Sequence, residues 1–290
     1  MSSDELDSLL PKVPTARRNF IVTSLGAGFA LAVTPGLAQT TQTIVSTDSR
    51  GLVAGEVKVP VPDGAMAAYR AQPASGGSFP VLLVVSEIFG VHEYIADVCR
   101  RLAKLGYLAI APELFARHGD PRKLANTQDI ISGIVAKTAD AQVLGDLDAC
   151  AAWAGKHGGN VARLGITGFC WGGRVTWLYA AHNPQLKAGV AWYGRLDGEV
   201  NGNTPKHPLD IAAELRAPVL GLYGGLDQGI SLDDVEAMRG AIRNAGGKSE
   251  LQVYPDAGHA FHADYRPTYR PDAAADGWKR MQAWFRQHGV

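Results

Sequence analysis

Short apolar runs that alternate with helical stretches are the feature that most constrains this chain. The segment PVLLVVSEIFG has an unbroken apolar run from Val81 to Val85, bounded by Pro80 and Gly90. Runs without polar alternation are typical of strands buried on both faces of a parallel sheet. Strand and helix alternate at least five times along the sequence, which predicts a mostly parallel sheet flanked by helices. No linker rich in Pro, Gly or Ser interrupts this pattern, so we expect a single α/β domain.

The expected elements follow one another in a regular order. A hairpin comes first, formed by EVKVPVPDG and AMAAYRAQP. Six further strands are expected in PVLLVVSEIFG, YLAIAPELF, RLGITG, KAGVAWYG, APVLGLYGG and SELQVYP. Helices are expected around Ile95, where Gly106 ends the helix, and over residues 138–155, 174–182, 232–245 and 277–287. The fourth of these helices opens with SLDD, which is a capping-box sequence.

The composition excludes several classes of partner. The 290 residues include 28 basic and 28 acidic side chains, so the chain carries no net charge at pH 7. Basic residues form only short pairs and do not alternate with aromatic residues. Neither nucleic acid nor an anionic membrane surface is therefore an expected partner, and we expect a small-molecule ligand instead.

The first 38 residues differ in character from the rest of the chain. Arg17 and Arg18 precede an apolar run of 13 residues, from Ile21 to Val33. A membrane-spanning helix needs about 20 apolar residues, so this run does not predict a stable membrane anchor. A basic segment, a short apolar run and small residues in this order are typical of a secretory signal peptide. The alternative is a mildly hydrophobic, disordered tail.

The paired arginines are similar to those of the bacterial twin-arginine export signal. Cleavage near Ala38 would divide the chain into a signal peptide at 1–38 and an α/β domain at 39–290. This division predicts a protein that is exported to the periplasm through the twin-arginine export machinery.

The segment GFCWGG, residues 168–173, points most directly to chemistry. Cys170 lies between glycines, after an expected strand and before an expected helix. Glycines permit a tight strand-to-helix turn in which a Cβ would clash. The helix N-terminus stabilises a thiolate, and the Trp171 backbone N–H can bind a developing oxyanion. The alternative for Cys170 is a buried core thiol.

Two more candidate residues follow later strands. Asp227 comes after APVLGLYGG, and His259 comes after SELQVYP. The carboxyl ends of parallel strands meet at one edge of the sheet, and nucleophile, acid, histidine is the chain order of α/β-hydrolases. His259 would transfer the proton of Cys170, while Asp227 would orient the imidazole and stabilise its charged form. A structural histidine and a turn-capping aspartate are the alternatives.

Three other residues fit weaker patterns. Cys99 and Cys150 each lie on the apolar stripe of an expected helix, which indicates small core residues. A disulfide between these two cysteines stays open. His262 forms an H-x-x-H pair with His259, but the pattern lacks a third ligand, so no metal site is expected.

Four segments carry a resemblance to a known family: SEIFGVHEYI, APELFARHGD, GFCWGG and YPDAGHAFH. They are similar to segments of the dienelactone hydrolases, also called carboxymethylenebutenolidases. The likeness extends from about Val57 to the C-terminus. It implies a single-domain α/β-hydrolase with a Cys170–Asp227–His259 triad, and it implies neither a metal nor an organic cofactor.

The resemblance also implies roles for further residues. Glu87 matches a glutamate that contacts the resting cysteine, and Arg117 matches an arginine that binds a substrate carboxylate and holds that glutamate. The Ile88 backbone N–H would be the second oxyanion donor. A turn acid and a solvated ion pair are the alternatives for Glu87 and Arg117. The sequence departs from the family at Ala263, where the family type has a second arginine, and Arg266 is a candidate substitute.

Together, these patterns predict a cysteine-dependent hydrolase of carboxylic ester or lactone bonds that works through an acyl-enzyme. A broader exported carboxylesterase that acts on neutral esters is one alternative. A catalytically silent ligand-binding protein is another, because a fold does not by itself determine a function.

Overall fold

The structure of the protein is a computed structural model that describes residues 45–290. The expected signal peptide at residues 1–38 lies outside the described residues and stays a prediction. Within the described part of the chain, no helix is both long and apolar enough to cross a membrane.

Residues 45–290 form eight strands, six α-helices and three short 3₁₀-helices. The strands are β1 (Leu52–Val61), β2 (Gly64–Pro73), β3 (Phe79–Val85), β4 (Leu108–Pro112), β5 (Gly159–Phe169), β6 (Ala188–Trp192), β7 (Val219–Gly224) and β8 (Glu250–Tyr254). The helices are α1 (Glu93–Lys104), α2 (Thr127–Gly133), α3 (Asp140–Lys156), α4 (Trp171–His182), α5 (Leu232–Asn244) and α6 (Pro271–Gln287). The 3₁₀-helices are Pro121–Lys123, Val135–Lys137 and Pro208–Glu214.

The eight strands make one sheet in the order β1-β2-β4-β3-β5-β6-β7-β8. β1 pairs antiparallel with β2, and β2 pairs antiparallel with β4; the other neighbouring strands are parallel. β4, β6 and β7 are buried over their whole length, as expected for strands covered by helices on both faces. The predicted mostly parallel α/β sheet is therefore confirmed.

Two helices begin earlier than the sequence predicts, and one is not predicted at all. α4 begins at Trp171 rather than at 174, because two glycines of poor helix propensity hide its first turn in the sequence. α6 begins at Pro271 rather than at 277, since proline suits the first position of a helix. α2 has seven residues and is too short to show a clear apolar period.

Two predicted helix ends are confirmed. The Ser231 hydroxyl accepts a hydrogen bond of 3.0 Å from the Asp234 N–H, and the Asp234 carboxylate accepts one of 3.2 Å from the Ser231 N–H. This reciprocal capping box starts α5. Gly106 follows α1 with a φ of +97°, a backbone conformation that glycine adopts far more readily than other residues.

Cys99 and Cys150 are fully buried in α1 and α3, which confirms them as core residues. Both are free thiols in this structure, so no disulfide joins Cys99 to Cys150 there. Burial raises the pKa of each thiol, so both side chains stay neutral and act as small apolar groups.

The parallel strands bring the candidate residues to one edge of the sheet. Glu87 and Ile88 follow β3, Cys170 follows β5, Asp227 follows β7, and His259 follows β8. Segments that are far apart in the sequence thus meet at the carboxyl ends of neighbouring strands, where ligands bind in open α/β sheets.

Candidate active site

Cys170 occupies a strained turn between β5 and α4. It is the N-cap of α4, with φ of +54° and ψ of −115°. A positive φ is uncommon for a residue with a Cβ and costs about 1–3 kcal/mol unless the surrounding structure enforces it. Here the Cys170 N–H donates a 3.0 Å hydrogen bond to the Trp192 carbonyl, while its own carbonyl accepts from the N–H groups of Gly173 and Arg174 at 2.9 and 3.1 Å. Both ends of the residue are therefore fixed.

The glycines around Cys170 are needed for close packing. A Cβ at Gly168 would lie 2.0 Å from the Gly172 carbonyl oxygen. A Cβ at Gly172 would lie 2.3 Å from the Val85 carbonyl oxygen, and one at Gly173 would lie 2.6 Å from the Trp192 carbonyl oxygen. The sequence-based expectation that a Cβ would clash in this turn is confirmed. The left-handed backbone, however, lies at the cysteine and not at the glycines.

Asp227 and His259 form a buried hydrogen-bonded pair. The His259 Nδ1 lies 2.7 Å from Asp227 Oδ2, and Asp227 Oδ1 accepts a 2.9 Å hydrogen bond from the Gly229 N–H. The two loops meet closely, because a Cβ at Gly224 would lie only 2.4 Å from the Ala257 carbonyl oxygen. Both oxygens of the carboxylate are thus occupied, and the imidazole is oriented from one side.

The protonation of His259 reflects opposing influences. Burial disfavours the imidazolium, but the charges of Asp227 and Cys170 outweigh it and raise the pKa of His259 to about 10. The Nε2 atom is close enough to Cys170 for the charge and hydrogen bonding of the sulfur to raise this pKa, and it has no other hydrogen-bond partner within residues 45–290. An imidazole held in this way can carry a proton away from the sulfur.

A cavity of about 380 Å³ opens beside these residues. Its lining includes Ile88, Cys170, Trp171 and His259. Within residues 45–290, neither the Ile88 N–H nor the Trp171 N–H donates to a backbone carbonyl. The two residues whose N–H groups have no backbone acceptor therefore line the same cavity as the candidate nucleophile.

Arg117 lies away from this cavity. Its guanidinium binds Asp63 at 2.6 and 2.7 Å and Asp146 at 2.7 and 3.0 Å. These two carboxylates come from the β1–β2 turn and from α3, and they engage Nε and both terminal nitrogens of the guanidinium. The expected pairing of Arg117 with Glu87 is therefore wrong, and Arg117 does not line the cavity.

Glu87 is fully buried but has partners other than the cysteine. Its Oε2 accepts a hydrogen bond from the Tyr265 hydroxyl and lies 3.7 Å from His92 Nε2, while Oε1 has no hydrogen-bond partner within residues 45–290. Burial disfavours the carboxylate, but His92, Arg266 and Tyr265 outweigh this and lower the pKa of Glu87. The expected contact with Cys170 is not among these interactions.

The second histidine of the H-x-x-H pair belongs to the core. His262 Nδ1 lies 2.5 Å from the Tyr94 hydroxyl, and the ring packs against Trp192 with centroids 4.4 Å apart. Burial, with a smaller effect of Arg101, lowers the pKa of His262 to about 3, so it remains a neutral aromatic side chain. Residues 45–290 contain no cluster of three His, Cys, Asp or Glu side chains that could hold a metal ion.

Ala263 and Arg266 lie in the same loop. Ala263 is fully buried, and the Arg266 guanidinium lies over the Phe89 ring at 5.9 Å. The charge of Arg266 acts on Glu87, and Arg266 is not part of the cavity lining. Arg266 therefore does not stand in for an arginine at position 263 in the cavity.

The sequence analysis missed a polar group at the cavity wall. Arg174 binds Asp140 through two hydrogen bonds of 2.7 and 2.8 Å, and its Nε donates to His207 Nδ1 at 3.3 Å. Burial lowers the pKa of His207, which suits an acceptor nitrogen facing a guanidinium. These residues come from a helix end and a long loop, and no motif in the sequence links them. Arg195, which also lines the cavity, was missed for the same reason.

The strand order and the strained turn at Cys170 define the class of the protein. An eight-stranded, mostly parallel sheet with a strained strand-to-helix turn after β5, an acid after β7 and a histidine after β8 is the arrangement of the α/β-hydrolases. Residues 66–289 match the model of the dienelactone hydrolase family. The chain belongs to this family and is a carboxymethylenebutenolidase-like hydrolase.

Individual relatives agree with the family model. A provisionally named carboxymethylenebutenolidase of Methylorubrum extorquens is 62% identical over 287 residues, which is 99% of this chain and 98% of the relative. The crystal structure of a provisionally named dienelactone hydrolase from Klebsiella pneumoniae has a TM-score of 0.80 at 58% identity and covers 81% of this chain and 99% of that one. A provisionally named 2-oxo-3-(5-oxofuran-2-ylidene)propanoate lactonase of Bradyrhizobium is 35% identical over 76% of this chain and 89% of its own length.

The Asp227 carboxylate should control the protonation of His259. In Asp227→Asn the opposing charge is lost while burial remains, so we expect the pKa of His259 to fall by more than one unit from its value of about 10. The measurement is a titration of the His259 imidazole by ¹⁵N NMR. Asp148→Asn is the control, because Asp148 pairs with the exposed His182 elsewhere on the surface. An unchanged titration in Asp227→Asn would show that the pair does not set the charge of His259.

Proposed function

We propose that the protein hydrolyses carboxylic ester or lactone bonds with Cys170 as the nucleophile. The observation that carries this proposal is the 2.7 Å Asp227–His259 pair, whose imidazole borders the same cavity as the strained Cys170. Membership of the dienelactone hydrolase family supports the reaction class. The nucleophile and the acyl-enzyme are our inference from the geometry.

In the first half of the reaction, the thiol proton is held on His259 Nε2, whose pKa of about 10 favours the imidazolium, and the Cys170 thiolate attacks the substrate carbonyl carbon. The carbonyl π electrons move to oxygen, and the N–H groups of Ile88 and Trp171 stabilise the resulting oxyanion. When the oxyanion collapses, the bond to the alkoxy oxygen breaks and the imidazolium protonates the leaving alcohol. The product of this step is a thioester of Cys170. Asp227 stabilises the imidazolium throughout.

In the second half, His259 removes a proton from a water molecule, which attacks the thioester carbonyl. The sulfur leaves as a thiolate beside the imidazolium, which is the starting state, while the carboxylic acid is released. Only groups of this chain and water take part in these steps. A lactone substrate keeps its leaving oxygen attached to the acyl group, so its product is a single hydroxy acid or the keto form of an enol.

The favoured substrates are lactones that carry a carboxylate. The name of the Bradyrhizobium relative describes an oxofuran ring joined to a propanoate. In the present cavity, Arg174 is buried against Asp140, whereas Arg195 is partly exposed. A partly desolvated guanidinium binds a carboxylate through strong, charge-assisted hydrogen bonds, so we assign the recognition of the substrate carboxylate to Arg195.

A carboxylesterase of neutral esters is the second candidate. It is favoured by the position of Arg117, which is bound by Asp63 and Asp146 outside the cavity. It is also favoured by Ala263, since the second arginine of the family type is missing there. The two candidates share the same nucleophile and differ in whether a cation of the cavity binds the substrate.

Removal of the sulfur should abolish hydrolysis. In Cys170→Ala we expect at least a 1,000-fold loss of kcat on p-nitrophenyl acetate, on the order of the loss seen when a nucleophile is deleted from a catalytic triad. Cys99→Ala is the matched control, because Cys99 is buried in α1 and should affect stability alone. Mass spectrometry of the wild type should detect an acyl adduct on Cys170. Turnover by Cys170→Ala at the wild-type rate would overturn the proposal.

Arg195 should distinguish the two substrate classes. In Arg195→Met we expect the KM for a carboxylate-bearing lactone to rise roughly tenfold or more, because a charge-assisted contact is lost. The KM for the methyl ester of the same lactone should stay the same. Arg117→Met is the matched control and should leave both constants unchanged. Equal effects of Arg195→Met on both substrates would favour the neutral-ester candidate.

We also propose that residues 1–38 are a twin-arginine signal peptide and that the mature enzyme works in the periplasm. The support is the order of Arg17, Arg18, an apolar run and small residues up to Ala38. N-terminal sequencing of protein from the periplasmic fraction should begin near residue 39. A chain that keeps Met1 or Ser2 in that fraction would contradict export with cleavage. Replacing both arginines by lysine should retain the precursor in the cytoplasm.

A further inference from the structure

A buried polar cluster lies behind the candidate active site and takes no part in the steps described above. We call it the Glu87 cluster, and it consists of Glu87, His92, Tyr265 and Arg266. The first two residues belong to the segment that follows β3, and the last two belong to the loop that follows β8. Glu87 and Arg266 are buried, whereas His92 and Tyr265 are half-buried.

The contacts within the cluster join these two segments. The Tyr265 hydroxyl donates a hydrogen bond to Glu87 Oε2, and His92 Nε2 lies 3.7 Å from the same oxygen. The edge of the Tyr265 ring packs against His92 with ring centroids 5.0 Å apart. The Arg266 guanidinium lies over the ring of Phe89, which is in the segment after β3. The contacts of Tyr265 and Arg266 therefore join the loop after β8 to the segment after β3, and His92 adds a contact to the Glu87 carboxylate.

A second hydrogen bond crosses between the same parts of the chain. The Tyr94 hydroxyl, at the start of α1, lies 2.5 Å from His262 Nδ1 in the loop after β8. The rings of Tyr94 and Tyr265 also pack with centroids 5.3 Å apart. The two segments thus meet over a continuous polar and aromatic surface and not at a single point.

The two joined segments carry different parts of the reaction. The segment after β3 contributes Ile88 to the cavity lining, directly after Glu87 in sequence, and its N–H is the oxyanion donor of the proposed reaction. The loop after β8 presents His259, six residues before Tyr265. Transition-state stabilisation depends on the position of an N–H relative to the oxyanion, and a shift of about 1 Å can cost about 100-fold in rate.

A buried carboxylate is costly unless its partners are fixed, so it is tolerated where its geometry is strictly maintained. We propose that Glu87 and Tyr265 are positioning residues, which hold the Ile88 turn and the His259 loop at a fixed separation. This inference rests on the proposed function, because it assigns the two segments to one reaction. It differs from a role of Glu87 as the resting partner of the Cys170 thiol, which predicts a direct effect on the sulfur.

Tyr265→Phe tests the inference because it removes one hydroxyl and keeps the ring packing. We expect kcat to fall about tenfold to 100-fold with KM within about twofold, since neither residue lines the cavity. Glu87→Gln should lower kcat similarly. The kcat of the double variant should be no lower than that of the less active single variant, because both substitutions break the same Tyr265–Glu87 contact. The alkylation rate of Cys170 by iodoacetamide should be unchanged.

Tyr179→Phe is the matched control. The Tyr179 hydroxyl donates a 2.9 Å hydrogen bond to the Asp148 carboxylate and, like Tyr265, loses a contact to an acid when it becomes phenylalanine. Tyr179 lies in α4, and it is not part of the cavity lining. We expect a lower thermal midpoint and an unchanged kcat for this variant.

A second measurement does not depend on turnover. Hydrogen exchange of Tyr265→Phe should accelerate together at the amides of residues 86–90 and 259–266, since the two segments lose their common contact. Acceleration of one segment alone, or an unchanged kcat in Tyr265→Phe, would overturn the inference. A changed alkylation rate would also overturn it and would identify Glu87 as a partner of the thiol. Failure of the proposed function has another signature, namely wild-type protein without hydrolysis that depends on Cys170.

Discussion

The site depends first on how closely the turn at Cys170 packs against the ends of β3 and β6. Glycine at 172 brings its Cα so near the Val85 carbonyl that no side chain fits, and Gly173 does the same against Trp192. This contact forces the cysteine into a backbone conformation that it would not otherwise adopt. Because β3 leads directly into the turn that contains Ile88, the same packing places both Cys170 and Ile88 beside one cavity.

Two buried carboxylates near the site are stabilised in different ways. Asp227 is neutralised by His259, and the pair raises the proton affinity of the imidazole. Glu87 is held by a tyrosine hydroxyl and by the charge of Arg266, and it remains an anion in a fully enclosed position. Both solutions satisfy the rule that an enclosed charge needs a partner. In the proposals made above, the first carries a proton during the reaction, whereas the second fixes the geometry of two loops.

Much of this arrangement can be predicted from the sequence, and the reasons are local. Unbroken apolar runs predict the parallel strands, and the glycines around Cys170 predict a tight turn. Each of these signals is contained within a few consecutive residues of the sequence. The partners of Arg117 could not be predicted in the same way, since Asp63 and Asp146 come from a distant hairpin turn and a helix. Tyr265 was overlooked because a single tyrosine in a loop carries no pattern until the fold brings it to an acid.

The complete burial of Cys99 and Cys150 has a consequence if the protein is exported, as proposed, to an oxidising compartment. Cys99 and Cys150 are sealed within the core, while Cys170 retains 9% of its surface exposed to solvent. Peroxide reaches accessible thiols first, so the damage would concentrate on the residue that the proposed chemistry requires. A sulfenic acid at this position would silence the enzyme reversibly without disturbing its core, and a reductant that reaches the cavity would restore it.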